Sequence, residues 1–161
     1  MGGKWSILRS SSCVPLDCNQ YYFEAKVEQY TRGKVCFGLT SKSPEINHDD
    51  PLIEPYNLGI EYWHGIYTIQ HGIRKKAECV SKLKDKDVFG VFIKYVWLKG
   101  TKIIMMQGTL NGVEVGKPLF HDNFEAYPSI GMNFPGNIVK CDLMKNEFKY
   151  QKPKGNLKYD H

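Results

Sequence analysis

The stretch QYYFEAKVEQYTRGKVCFGLT, residues 20–40, decides the fold. Phe23, Ala25 and Val27 alternate with Tyr22, Glu24, Lys26 and Glu28, the two-residue period of a strand with one face in a core and the other in water. A second strand follows. In it Val35, Phe37 and Leu39 share a face, and Gly38 stands where a Cβ would crowd a neighbour or the strand must bend. Between the two, Tyr30-Thr31-Arg32-Gly33 supplies turn chemistry, with Gly33 free to take a positive φ. The segment reads as a sheet wall carrying a polar loop, and nothing in it resembles a catalytic centre.

Outward from this hairpin the pattern repeats. Upstream, Trp5, Ile7 and Leu8 open a first strand, and turn formers from Ser10 to Asn19 follow it. Downstream, Pro44, Pro51 and Pro55 interrupt Ser41 to Tyr56, which predicts a long exposed loop. Loops beyond about 12 residues are usually functional or disordered. Its Asp49-Asp50 pair is read as solvated turn residues, because no further carboxylates stand at calcium-loop spacing. Leu58, Ile60 and Tyr62 then alternate, and Ile66 and Thr68 precede a turn at His71-Gly72. Arg74 to Lys86 is read as a solvated connection, and Asp87 to Ile93 as a central strand. Lys99-Gly100 turns the chain into Ile103 to Met106, and Leu110-Asn111-Gly112-Val113 predicts a type I′ hairpin. Tyr127 to Met132 and Ile138 to Leu143 complete the set, joined by Asn133-Phe134-Pro135-Gly136-Asn137. About ten short strands with regular turn signals make an all-β chain, a two-sheet antiparallel sandwich.

The 161 residues fit one domain, expected over 1–144, with a polar basic tail over 145–161. The net charge of +5 is uneven: Arg74 to Asp87 holds six basic residues against three acidic, and Lys145 to His161 five Lys against two acidic. No broad basic face for phosphate is expected. The cysteines Cys13, Cys18, Cys36, Cys79 and Cys141 show no C-x-x-C zinc spacing, and Cys36 and Cys141 sit in apolar strand patterns as small core residues. A reducing compartment is expected, cytoplasmic or nuclear rather than secreted. No window approaches the roughly 20 apolar residues of a membrane-spanning helix. Met1-Gly2-Gly3-Lys4-Trp5-Ser6 fits M-G-x-x-x-[ST], which makes Gly2 a candidate for myristoylation and the one route to a membrane. The strand reading of Trp5 and Ile7 is preferred to it, and a single myristoyl chain would bind membrane only marginally.

Read in order, Tyr21-Tyr22-Phe23-Glu24, Phe37-Gly38-Leu39-Thr40, His71-Gly72, Asp87-Val88-Phe89-Gly90-Val91, Leu110-Asn111-Gly112 with Gly116 and Phe120, and Tyr127-Pro128 resemble the SPRY domain. The resemblance runs from about Trp5 to Leu143. It implies a bent two-sheet antiparallel sandwich of concanavalin-like jelly-roll topology, acting as a protein-interaction module without catalytic activity. It also implies that ligands are gripped by edge loops, which fall here at Tyr30 to Lys34, Ser43 to Tyr56 and Asn133 to Asn137. Two departures stand out. Phe134-Pro135 replaces the tryptophan or glycine-rich sequence often found in the last loop, and Lys94 to Gln107 is longer than the usual tight hairpin.

The expected partner-binding residues are Tyr30, Thr31, Arg32, Asn47, Asp49, Tyr56, Phe134 and Pro135, a mix of aromatic and Arg anchors among hydrogen-bonding loops. The partner is another protein or a linear peptide, bound by a chain that is monomeric by itself and needs no cofactor or metal. The alternative is RNA or single-stranded nucleic acid, held by segment 74–86 and the Lys-rich tail. It is disfavoured because stacking aromatics are not interleaved with the charges. An enzyme is disfavoured too, since His48, His64, His71 and His121 have no nucleophile motif nearby. Trp63 and Trp97 are read as strand packing.

Overall fold

The alternation in residues 20–40 becomes two strands in different sheets. The computed structural model describes residues 6–15, 20–41, 56–71, 73–78 and 82–141. These form β1 (Ser6–Arg9), β2 (Gln20–Gln29), β3 (Val35–Thr40), β4 (Leu58–Tyr62), β5 (Ile66–Gln70), β6 (Ile73–Glu78), β7 (Val88–Leu98), β8 (Thr101–Leu110), β9 (Val113–Asp122), β10 (Tyr127–Met132) and β11 (Ile138–Cys141). No helix occurs among the described residues. One sheet has the order β1-β10-β3-β4-β5-β6 and the other β11-β2-β7-β8-β9, with every pairing antiparallel.

The inward faces follow the expected period. Phe23, Ala25 and Val27 on β2 meet Val35, Phe37 and Leu39 on β3 in one cluster that includes Ile60, Phe89, Val91, Ile93 and Met106. At its centre the Phe37 and Phe89 rings, one from each sheet, stack with centroids 4.5 Å apart and planes 21° from parallel. Gly38 is required where β3 passes β4, because a Cβ there would lie 2.1 Å from the Leu58 carbonyl oxygen. The Asn111-Gly112 turn has φ of 52° and 82°, the two positive angles of the expected type I′ turn.

Several expectations are corrected, the first being the hairpin over residues 20–40: β2 and β3 do not pair, because the chain crosses between the sheets there. Tyr22, placed in water by alternation, is buried with Phe92, Val96 and Met105 on the outer face of its sheet. Arg74 to Glu78 belongs to a sixth strand and not to a solvated connection. It lacks an apolar alternation because it is the last strand of its sheet and its inner face lies at an open margin. The surplus residues of Lys94 to Gln107 lengthen two paired strands, which turn at Lys99-Gly100 with φ of 49° and 77°. Trp97, near the tip of that hairpin, is 61% exposed, where the hairpin runs on beyond the pairing of β2 with β7, which among the described residues reaches Lys94. The candidate lipidation residue Gly2, the tail 145–161, and Asn47 and Asp49 lie outside the described residues.

Truncating a fully buried aromatic removes both transfer free energy and packing. Phe89→Ala should lower the unfolding free energy by about 3–5 kcal/mol in a denaturant titration followed by intrinsic fluorescence. A loss below about 1 kcal/mol would mean that the inter-sheet stack is not what holds the sandwich together.

Candidate binding surface

A chain that crosses from one sheet to the other abandons its ladder, and the polar backbone groups it leaves behind need new partners. Two crossings lie side by side. Residues 30–34 carry the chain from β2 to β3, and residues 133–137 carry it from β10 to β11. Because β3 pairs with β10 from Val35 opposite Met132, and β2 pairs with β11 from Gln29 opposite Ile138, the register places the two links against each other.

Two asparagines join them. Lys34 donates its backbone N–H to Asn133 Oδ1 at 2.7 Å. Thr31 donates its N–H to Asn137 Oδ1 at 2.8 Å, and Asn137 Nδ2 donates to the Arg32 carbonyl at 2.7 Å. Both asparagines are buried. Gln29 Nε2 and the Thr31 hydroxyl both donate to the Gly136 carbonyl, at 3.0 and 3.2 Å. Gly33 has the positive φ expected of it, at 82°, and a Cβ there would meet Asn133 Oδ1 and Phe134 Cβ.

The side chains of the links divide into anchors and presented groups. Tyr30 is an anchor: its hydroxyl donates to the Gly33 carbonyl at 2.8 Å, its N–H donates to Asp85 Oδ1 at 3.0 Å, and its ring meets Tyr62 edge-on at 5.2 Å. Thr31, Arg32 and Pro135 are exposed and Phe134 is half-buried. The Arg32 guanidinium lies over the Phe134 ring, 4.4 Å from its centroid. The structure thus brings together Tyr30, Thr31, Arg32, Phe134 and Pro135. Tyr56 is elsewhere, buried between Cys36 and Ile69 on the outer face of the other sheet, with its hydroxyl donating to the Cys36 carbonyl at 3.3 Å.

Sequence reasoning missed Asn137 and Asp85 as builders of this surface. An asparagine at each end of the short Asn133–Asn137 link was the available signal, since side-chain amides are suited to replacing lost ladder bonds. Trp63 is partly buried, with Lys34 and Arg74 each 5.1 Å from its ring centroid. Arg74 also pairs with the buried Glu61 at 2.8 Å. Among the described residues no three of His, Cys, Asp and Glu gather in a metal-holding arrangement.

Among solved structures, the chain is similar to the crystal structure of the TRIM65 PSpry domain, with a TM-score of 0.54 and 8% sequence identity, over 84% of this chain and 70% of that one. At that identity the likeness is one of fold, and it agrees with the sandwich that the resemblance implied. No family model matches the chain, and no curated protein matches it.

Asn137→Ala should cost about 1–3 kcal/mol, because it leaves part-buried backbone groups without partners, and should speed hydrogen exchange at the Thr31 amide. Unchanged protection of that amide would mean that another group fixes the turn. Burial first, and the neighbouring Tyr62 second, push the Tyr30 phenol up from 10.0 to about 12. The fold therefore favours the neutral phenol, so this contribution to stability is complete below pH 10 and is lost as pH rises through about 12. An ultraviolet titration should show a tyrosine ionising near pH 12 whose contribution is lost in Tyr30→Phe.

Proposed function

We propose that the chain is a non-catalytic protein-interaction module, an adaptor or scaffold subunit, that takes a partner peptide or protein surface on residues 30–34 and 133–137. The observation that carries this reading is the hydrogen-bonded union of the two links, which presents Thr31, Arg32, Phe134 and Pro135 together from a rigid base. A preformed surface lowers the ordering cost of association. The guanidinium resting on Phe134 keeps its N–H rim at the surface, suited to a partner carboxylate or carbonyl. The SPRY resemblance supports the same class of function.

The nucleic-acid reading loses one cation of the basic segment. Arg74, the first cation of the basic segment, is engaged by Glu61 and stacked 4.0 Å from the Tyr67 ring centroid.

Peptides selected from a displayed library on the wild-type chain provide the test. Arg32→Ala and Phe134→Ala should each weaken the selected peptides at least about tenfold, or about 1.4 kcal/mol. Arg32→Ala should leave the thermal midpoint within a few degrees, as befits a change at an exposed residue. Equal affinity of both variants and wild type would place the site elsewhere.

A further inference from the structure

The sandwich has an open margin where β6, the last strand of one sheet, faces β9, the last strand of the other. A groove of about 900 Å³ runs along it. Ala77, Gly116 and Leu119 make an apolar floor, closed where Gly116 lies against Thr68 and Ala77 so tightly that a Cβ would sit 3.0 Å from one and 3.1 Å from the other. On the rim Ile73 is 71% exposed, the most exposed large apolar side chain among the described residues. Three cations line the same groove: Lys75 and Lys76 from β6, and Lys117 from β9. None of the three makes an ion pair among the described residues, whereas Arg74 beside them is paired with Glu61.

The groove is preformed. At one end Gln70 Nε2 donates to the Phe120 carbonyl at 2.5 Å, and the His71 and His121 rings stack at 4.4 Å, so the β5 to β6 turn is fastened to β9. The two edges differ in what they can accept. β9 is interrupted by Pro118, which has no N–H to offer. No proline interrupts the six residues of β6, and no described strand lies along its outer edge. An open strand edge is a template for another strand.

We propose that this groove takes an extended acidic peptide segment, which adds to β6 as a further strand and sets its carboxylates on Lys75, Lys76 and Lys117. Charge selects the occupant. A second copy of the same edge would bring these lysines against their own kind, while a short acidic run flanked by apolar residues would set carboxylates opposite Lys75 and Lys76, which point to opposite faces of β6, and apolar side chains opposite Ile73 and Ala77. The site lies at the lateral margin and is independent of the surface at residues 30–34 and 133–137.

The probe is a labelled heptapeptide with three central glutamates flanked on each side by two valines, acetylated and amidated at its ends, titrated with the full chain at low salt and read by fluorescence anisotropy. Lys75→Glu/Lys117→Glu should weaken binding at least tenfold, as should N-methylation of alternate peptide bonds, while Arg32→Ala should leave it unchanged. Circular dichroism checks that the double variant is folded. If it is not, Lys117→Gln and the backbone amide shifts of Ile73 to Ala77 on titration take its place, with weaker binding and shifts at those amides expected. Absence of binding, equal affinity of the charge variant, tolerance of N-methylation, shifts confined to residues 30–34 and 133–137, or tighter binding of a uridine oligonucleotide than of the peptide would each overturn the proposal.

Discussion

Where the chain changes sheets it leaves backbone donors and acceptors without a ladder, several of them partly or wholly shielded from water. In this sandwich two such crossings are made to satisfy each other, through the buried amides of Asn133 and Asn137. The arrangement depends on register. Were β10 to slip by one residue against β3, Lys34 would no longer stand opposite Asn133, and its N–H would be stranded. The inward set Val35, Phe37 and Leu39 opposes such a slip, because each of these side chains is fully buried against the other sheet. Core packing therefore fixes the register, the register fixes which loop residues meet, and the amides convert that meeting into a stiff surface.

Stiffness is reinforced from outside. Both sheets bury apolar residues on their outer faces as well as between them: Tyr22, Phe92, Val96 and Met105 on one, Cys36, Tyr56 and Ile69 on the other. Strands gripped from two sides have little freedom to shear, and links between such strands inherit that restraint. The presented groups differ from the anchors in this respect. Tyr30 uses both its hydroxyl and its ring to hold its own turn, whereas Thr31 and Pro135 stand at the surface of an already ordered backbone.

The inner faces were legible in the sequence because alternation reports one buried face directly, as Phe23, Ala25 and Val27 do. Burial of the opposite face was not, since a tyrosine such as Tyr22 satisfies either reading. The run from Val88 to Ile93, apolar at successive positions, was the clue that both faces of that sheet are covered. β6 escaped because IRKKAE carries two small or branched apolar residues among charges, and an edge strand that opens onto a groove has no need of a hydrophobic stripe. At the candidate surface, Tyr30 to Gly33 were legible through turn chemistry. Asn137 was not, because its partners are backbone groups more than a hundred residues away. Tyr56 was misplaced since an aromatic beside a proline-rich loop looks alike whether it faces a ligand or plugs a sheet.

The two surfaces argue for different kinds of contact. At the loop end the cation is an arginine whose flat face rests on Phe134, so its position is fixed and its donors point along a defined edge. Such a group recognises a planar acceptor at one place. Along the lateral groove the cations are exposed lysines on long flexible stems, which recognise charge without fixing its position, and the geometry there must come from the strand edge itself. On the proposed reading, side-chain geometry would specify at one surface and backbone geometry at the other. Lysine on this edge, along which no described strand lies, also sets like charge against like where identical chains would meet edge to edge.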